Sequence, residues 1–242
     1  MGRYFEGNEE NIAALKKSHN DRMATAEYTG IKAIDDIFGY LVVGSTYMIS
    51  ATTGVGKSSF LLATAKKLAE KKKVMYITIE QSMDQLSEVI DANTNLDYYE
   101  MEAWKDWKEV IEINNNKHYD YIIFDYLGAD CVEDWDELIN KSGELATMAK
   151  ANNWIIFTAC QAKPELTQQF KDDRFSLKLF TSMYIAYSKG MAAKIAGGVY
   201  LIKNSENSFY LYNFKNRYSP ISNVPYAVNN LNLEKKIFEE GE

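Results

Sequence analysis

The string Ala51-Thr-Thr-Gly-Val-Gly-Lys-Ser58 constrains this chain more than any other feature. It follows the apolar run Tyr47-Met-Ile-Ser50 and opens Ser58-Ser-Phe-Leu-Leu-Ala-Thr-Ala-Lys, whose apolar residues have helical spacing. A strand, a glycine-containing turn and a helix in that order build a phosphate cradle. Gly54 and Gly56 let the backbone turn so that successive N–H groups face inward, and the helix N-terminus adds its positive end. In this pattern Lys57 reaches the β- and γ-phosphates of a nucleotide, and the Ser58 hydroxyl is a natural Mg²⁺ ligand. Thr53, Gly54, Val55, Gly56, Lys57, Ser58 and Ser59 are the candidate nucleotide contacts, with ATP and Mg²⁺ as the expected ligands. Ala51 stands where the common pattern has its first glycine, and the competing reading is an ordinary glycine-rich β-to-α turn.

The surrounding runs alternate between short β-branched or aromatic stretches and longer amphipathic ones. Thr46 to Ser50 is followed by Ser58 to Lys73, Val74 to Ile79, Ser82 to Ala92, Trp104 to Asn114, Tyr121 to Asp125, Trp135 to Ala151 and Trp154 to Ala159. Strand and helix in alternation imply right-handed βαβ units, hence an α/β fold with a mostly parallel central sheet covered by helices on both faces. The rhythm breaks at Lys163 to Lys189, a polar connection of the length that usually carries function, before the last apolar runs at Gly198 to Ile202 and Phe209 to Phe214.

A chain of 242 residues with 46% hydrophobic content buries a full core and is not disordered. Its cysteines, Cys131 and Cys160, lie in apolar contexts with no Cys-x-x-Cys, which excludes a disulfide scaffold or zinc cluster and fits a reducing cytosol. No apolar stretch approaches the length of a membrane span, so a soluble cytoplasmic protein without a membrane partner is expected. A net charge of −7 excludes a surface that coats nucleic acid all over. Local charge differs: Glu80 to Glu144 holds 18 acidic residues against 4 lysines, whereas Lys163 to Arg217 holds 9 basic residues against 4 acidic ones. Any polyanion contact belongs to the second stretch, and the plainer reading of both is solvated faces.

Hydrolysis of ATP also needs an acid that organises Mg²⁺ and a group that positions water. Tyr121-Ile-Ile-Phe-Asp125 is a buried-strand run ending in one carboxylate, which makes Asp125 the candidate metal acid. Asp120, at the strand entrance, reads as a solvated end. Val74-Met-Tyr-Ile-Thr-Ile-Glu80 has the same form, and in an open parallel sheet its last carboxylate faces the crevice at the carboxyl edge. Glu80 is therefore the candidate base, the alternative being a helix-capping acid before Ser82-Met-Asp-Gln-Leu. Trp154-Ile-Ile-Phe-Thr-Ala-Cys delivers Gln161 to the same edge, where an amide can sense a γ-phosphate.

The order of these motifs resembles a known family. Thr29-Gly-Ile-Lys-Ala-Ile-Asp-Asp-Ile, the P-loop, Glu80-x-Ser-x-x-Gln-Leu, Phe124-Asp-Tyr-Leu, Gln161, Ser188-Lys-Gly-Met-Ala-Ala-Lys-Ile-Ala-Gly-Gly-Val-Tyr-Leu-Ile and Lys215-Asn-Arg-Tyr-Ser-Pro together look like the RecA-like motor domain of DnaB-type hexameric replicative helicases. The likeness covers Thr29 to Val228. It implies a RecA-like P-loop NTPase fold and an ATP hydrolase that works as a helicase on single-stranded DNA. Lys57 and Ser58 would bind phosphate and Mg²⁺, Glu80 would be the base, Asp125 the Walker B acid and Gln161 the coupling residue. Lys215 and Arg217 would act in trans on the neighbour's γ-phosphate in a homo-oligomer, expected to be a hexameric ring. On the residues alone they read as a cation-blunted strand edge, and strand alternation puts both side chains on one side.

The same resemblance places DNA-facing loops in the basic segment, with Lys163, Lys171, Arg174, Lys178 and Lys189 as candidate contacts and Phe170 and Phe175 as stacking partners or core anchors. The chain departs from the family at Gly128-Ala-Asp after the Asp125 strand and at Lys163-Pro-Glu in the DNA loop. Residues 1–28 read as an N-terminal linker whose helix, Glu9 to Met23, buries little alone, and residues 29–242 as the motor domain. So short a leader leaves no room for the family's scaffold or primase-binding domain, which implies that a primase or loader chain supplies it or that this is a minimal phage or plasmid version. Abundant Lys, Asn, Ile and Tyr suit a phage source. A RecA-like recombinase and a non-motor ATP switch of loader or clock type share the same ATP site and remain the alternatives.

Overall fold

The computed structural model describes residues 7–90, 92–127, 135–163, 166, 189–204, 208–221, 225–229 and 231–239. Its central sheet consists of β1 (Ser45–Ala51), β2 (Val74–Thr78), β3 (Leu96–Glu100), β4 (Tyr121–Asp125), β5 (Ile155–Gln161), β6 (Gly197–Lys203), β7 (Phe209–Asn216) and β8 (Tyr226–Val228). The spatial order is β3-β2-β4-β5-β1-β6-β7-β8. Strands from β3 to β6 pair in parallel, while β7 and β8 add antiparallel neighbours. The helices are α1 (Glu9–Ala24), α2 (Lys32–Phe38), α3 (Lys57–Leu68), α4 (Met83–Leu86), α5 (Trp107–Lys117), α6 (Trp135–Asn152) and α7 (Lys189–Lys194). The expected α/β architecture, a mostly parallel sheet with helices on both faces, is the one observed.

Every residue of β1, β2 and β4 is buried, which is why these strands read as unbroken apolar runs. The period of two then sorts their side chains into two cores. Tyr47, Ile49, Tyr76, Ile123 and Phe157 pack with Ile34 and Phe38 of α2 and Phe60 and Leu61 of α3. Met48, Ile77, Phe124, Ile156 and Cys160 pack on the opposite face with Val110 of α5 and Leu145 of α6. Burying so many side chains of this size, at roughly 1.5–3 kcal/mol each, is what holds the layers together. Trp154 locks one corner: its Nε1–H donates to Asn114 Oδ1 at 2.9 Å, and the same oxygen accepts the Tyr119 N–H at 2.9 Å.

Three features depart from the sequence reading. The run Ser82 to Ala92 forms only the short α4, because Ser82 and Gln85 cap it reciprocally and the Ser87 hydroxyl donates to Asp84 O at 2.6 Å, a local bond that competes with helix propagation. β3 lacks a clear strand signal, since Asp97 disfavours a strand; Lys117 and Tyr119 donate to its carboxylate at 3.1 and 2.5 Å and hold it there. A C-terminal hairpin, β9 (Leu231–Asn232) and β10 (Ile237–Phe238), is too short for any periodicity to reveal.

Ahead of the sheet, Glu27 pairs by backbone with Leu41 and its carboxylate meets Lys72 at 2.6 Å and the Tyr121 hydroxyl at 2.9 Å. The polypeptide is thereby anchored just after α1. Ile12 and Leu15 of that helix are 43% and 46% exposed. Among the described residues no helix is long and apolar enough to cross a membrane.

Candidate nucleotide site

Gly54 and Gly56 have φ of +78° and +104°, the left-handed region that residues with a Cβ avoid, so the turn after β1 needs both. α3 starts at Lys57 with no side-chain cap at Gly56 and no acidic residue in its first turn. Its opening N–H groups and positive dipole end thus point at the crevice without a carboxylate to compete, the arrangement that holds phosphate. Thr53 and Gly54 are exposed, and Val55, Lys57, Ser58 and Ser59 are half-buried.

In the sheet, β5 lies between β1 and β4, and α3 crosses over it. Parity puts Asp125 on the same face as Tyr121 and Ile123, the face that α3 covers. The Ser58 hydroxyl therefore reaches across and donates to Asp125 Oδ1 at 3.1 Å. Asp125 is fully buried, and burial pushes its carboxyl above the usual range, opposed by hydrogen bonds from Tyr76 and Ser58 and by the Lys57 charge. Burial likewise lowers the Lys57 ammonium, while Glu80 and Asp125 pull it back up. The Lys57 Nζ lies 5.5 Å from the centre of the Tyr126 ring.

One carboxylate beside one hydroxyl suits Mg²⁺, which takes few protein ligands and completes its shell with water and substrate phosphates. Among the described residues no cluster of three or more His, Cys, Asp or Glu could hold a metal by itself, so a protein-only cage is not on offer. Ser58 and Asp125 would hold the ion, which when bound would neutralise charge on the phosphates.

Glu80 sits just beyond Thr78, the residue in register with Asp125 on the neighbouring strand. The turn that carries it is pinned by Thr78, whose Oγ1 accepts the Gln81 N–H at 3.0 Å and donates to Gln81 O at 3.1 Å. Its side chain is exposed and its charge acts on both Lys57 and Asp125. Capping of α4 falls to other residues: Ser82 Oγ accepts the Gln85 N–H at 3.3 Å, and Glu100 accepts the Met83 N–H at 2.8 Å. Gln161 ends β5 opposite Ala51, and its Nε2 donates to Thr53 Oγ1 at 2.9 Å, which ties the sheet edge to the loop. Asp120 at the other end of β4 is exposed, yet it accepts the Lys73 N–H at 2.9 Å. Cys160 is wholly buried and its thiol is pushed up to about 12, so it is chemically inert.

Lys215 and Arg217 lie elsewhere. β7 runs antiparallel to β6, so its end reaches the amino edge of the parallel strands: Arg217 N–H donates to Ala196 O, and Ala196 N–H to Thr46 O. The stretch from Thr46 to Ala51 spans about 17 Å, too far for either side chain to reach its own loop. Lys215 Nζ donates to Ala192 O and Arg217 Nη2 to Ala193 O, so both cations meet carbonyls near the end of α7. Burial, with Arg217 nearby, lowers Lys215 to about 8. Lys163 is exposed just past β5. Lys171, Arg174, Lys178, Phe170, Phe175 and Cys131 lie outside the described residues, as does the side chain of Lys189.

Two contributors escape the sequence reading. Tyr76, an interior residue of an apolar strand, donates its hydroxyl to Asp125 Oδ2 at 2.6 Å. The hairpin β9–β10 packs on α3 and the loop: Phe238 meets Phe60 edge-on at 5.7 Å, and a Cβ at Gly56 would lie 3.1 Å from Leu233 Cδ2. A tyrosine in a buried strand is the available signal for the first. The second leaves none.

Sheet order, crossover and loop define a RecA-like P-loop ATPase fold. No protein-family model matches the chain. The DNA repair protein RadA of Salmonella typhimurium is 45% identical over 60 residues, 24% of this chain and 13% of that one. The chain thus spans about an eighth of that curated relative. Among solved structures, a DnaB-type ATPase domain superposes with a TM-score of 0.67 at 13% identity, covering 92% of this chain and 95% of that one. A KaiC-like protein from the hyperthermophilic archaeon Pyrococcus horikoshii OT3 superposes with a TM-score of 0.64 at 16% identity, covering 84% and 93%.

Proposed function

We propose that this chain is the motor domain of an ATP-driven translocase on single-stranded DNA, with hydrolysis at the interfaces of a ring-shaped homo-oligomer. The observation that carries the reading is the split of the machinery between the two edges of the sheet. Glu80, Asp125, Gln161 and the loop line the carboxyl edge, whereas Lys215 and Arg217 sit at the amino edge. A chain built so supplies phosphate binding, metal and base at one face and a pair of cations at the other, and a neighbour completes the set. In this mechanism the loop and Lys57 orient the phosphates, Glu80 takes a proton from the attacking water, and Gln161 reports the nucleotide state to the loop through Thr53. Residues 1–28 then act as the subunit linker: the apolar stripe of α1 docks on a neighbour, and deleting residues 1–24 shifts the protein toward monomer in light scattering.

The likeness to RadA favours a second reading, a DNA-repair or recombination ATPase that assembles as a filament. ATP turnover with Mg²⁺, with and without single-stranded DNA, tests the first reading. Lys57→Ala should lose nucleotide binding, and Glu80→Gln should keep binding while turnover falls by about a hundredfold or more. Wild-type turnover in Glu80→Gln would remove it as the base. Negative-stain images with a nonhydrolysable analogue separate ring from filament.

A further inference from the structure

The Ser58 hydroxyl has one proton and two lone pairs, and its proton is directed at Asp125 Oδ1. Its lone pairs therefore face away from the carboxylate, toward the crevice. That orientation holds only while the carboxylate keeps its rotation, and Asp125 is fully buried, with no solvent to steady its second oxygen. The steadying group is Tyr76. Val74, Tyr76 and Thr78 share the α3 face of β2, and Tyr76 pairs in register with Ile123, two residues before Asp125. A diagonal neighbour at that spacing is within reach of a long aromatic side chain. The hydroxyl spans it and donates to Oδ2 at 2.6 Å, the short distance of a charge-assisted bond.

Packing alone does not account for a tyrosine here. The ring lies among apolar neighbours, with the Tyr98 ring edge-on at 6.1 Å, and phenylalanine would fill the same space without a hydroxyl to desolvate. We propose that Tyr76 is the positioning residue for the metal side of the site: it fixes the plane of Asp125, which in turn aims the lone pairs of Ser58 at Mg²⁺. Burial raises the Tyr76 hydroxyl well above its ordinary range, so it stays protonated and donates throughout. This role rests on the reading of the site as a Mg²⁺-nucleotide site. It adds to that reading a residue which never touches metal or nucleotide.

The test is a Mg²⁺ titration of the binding of a fluorescent ATP analogue to the full chain. In Tyr76→Phe the Mg²⁺ concentration for half-maximal binding should rise about tenfold or more, the usual effect of losing a partner behind a ligand, while binding without Mg²⁺ stays within about twofold. Added to Asp125→Asn, the same substitution should bring no further rise, because the tyrosine acts through the carboxylate. A midpoint within about twofold of wild type, or an equal rise in both backgrounds, overturns the proposal. Tyr76→Met, of similar bulk and also lacking the donor, should repeat the shift if Tyr76→Phe unfolds early, and an unshifted Tyr76→Met counts against the role. Wild-type protein that binds no Mg²⁺-nucleotide sinks the ATP-site reading and the positioning role together. Loss of binding in Lys57→Ala with an unshifted Tyr76→Phe sinks the positioning role alone.

Discussion

Arg217 and Lys57 occupy opposite edges of one sheet: Arg217 is bonded beside the entrance of β1 through Ala196, and Lys57 follows its exit. A cation so placed cannot serve the loop of its own chain. Arg217→Ala should therefore leave nucleotide binding and folding intact while turnover falls by about a thousandfold, the typical effect of losing such a finger. Mixing it with Glu80→Gln should restore part of the activity, since one class of interface then carries both an intact base and an intact finger. Absence of recovery in a demonstrably mixed oligomer would rule out action in trans.

Lys215 sets a pH limit. Its ammonium, lowered to about 8 by burial and by Arg217, loses its proton at a pH where ordinary lysines keep theirs. The unfolded chain binds more protons than the folded one between about pH 8 and 10.5, so this group makes stability rise with pH across that window. Function has the opposite sign: if the charged form acts on phosphate, turnover declines through pH 8. A pH profile of turnover checks this, and Lys215→Arg should flatten the alkaline limb.

Gly197 and Gly198 allow aromatic rings to close over the start of β6. A Cβ at Gly197 would lie 2.6 Å from Phe38 Cε1 and 2.9 Å from Tyr47 Cδ1, and one at Gly198 would collide with the Phe214 ring. Alanine at either position should cost about 1–3 kcal/mol in denaturant unfolding, because neither ring can withdraw without opening a gap. An unchanged midpoint would show that the rings repack at no cost.

Single-stranded DNA should stimulate turnover and bind with a shallow salt dependence, because the basic residues are confined to Lys163–Arg217 in a chain of net charge −7. Charge reversal at Lys171 and Arg174 together should weaken binding several-fold while turnover without DNA stays at the wild-type rate. Unchanged affinity, read by fluorescence anisotropy, would move the contact to another surface.

The amino-acid sequence by itself determined the fold class, the loop and the strand ends that carry Asp125, Glu80 and Gln161. Each is a local signal: a glycine spacing that a turn requires, or an apolar run that a buried strand requires, closed by one polar residue. The ambiguity of Glu80 between base and cap was also local, and only the neighbouring strand resolved it, by bringing Glu100 to Met83 and leaving α4 capped without it. What tertiary structure decided is everything that depends on register and parity between distant segments. Tyr76 reads as one more core residue until β2 and β4 pair in parallel and its hydroxyl meets Asp125, and Leu233 reads as a tail residue until the hairpin folds back on Gly56. Lys215 and Arg217 share a spacing visible in the sequence. That they stand at the far edge from their own loop follows from the antiparallel turn into β7, because reversing a strand sends its end to the other edge of the sheet.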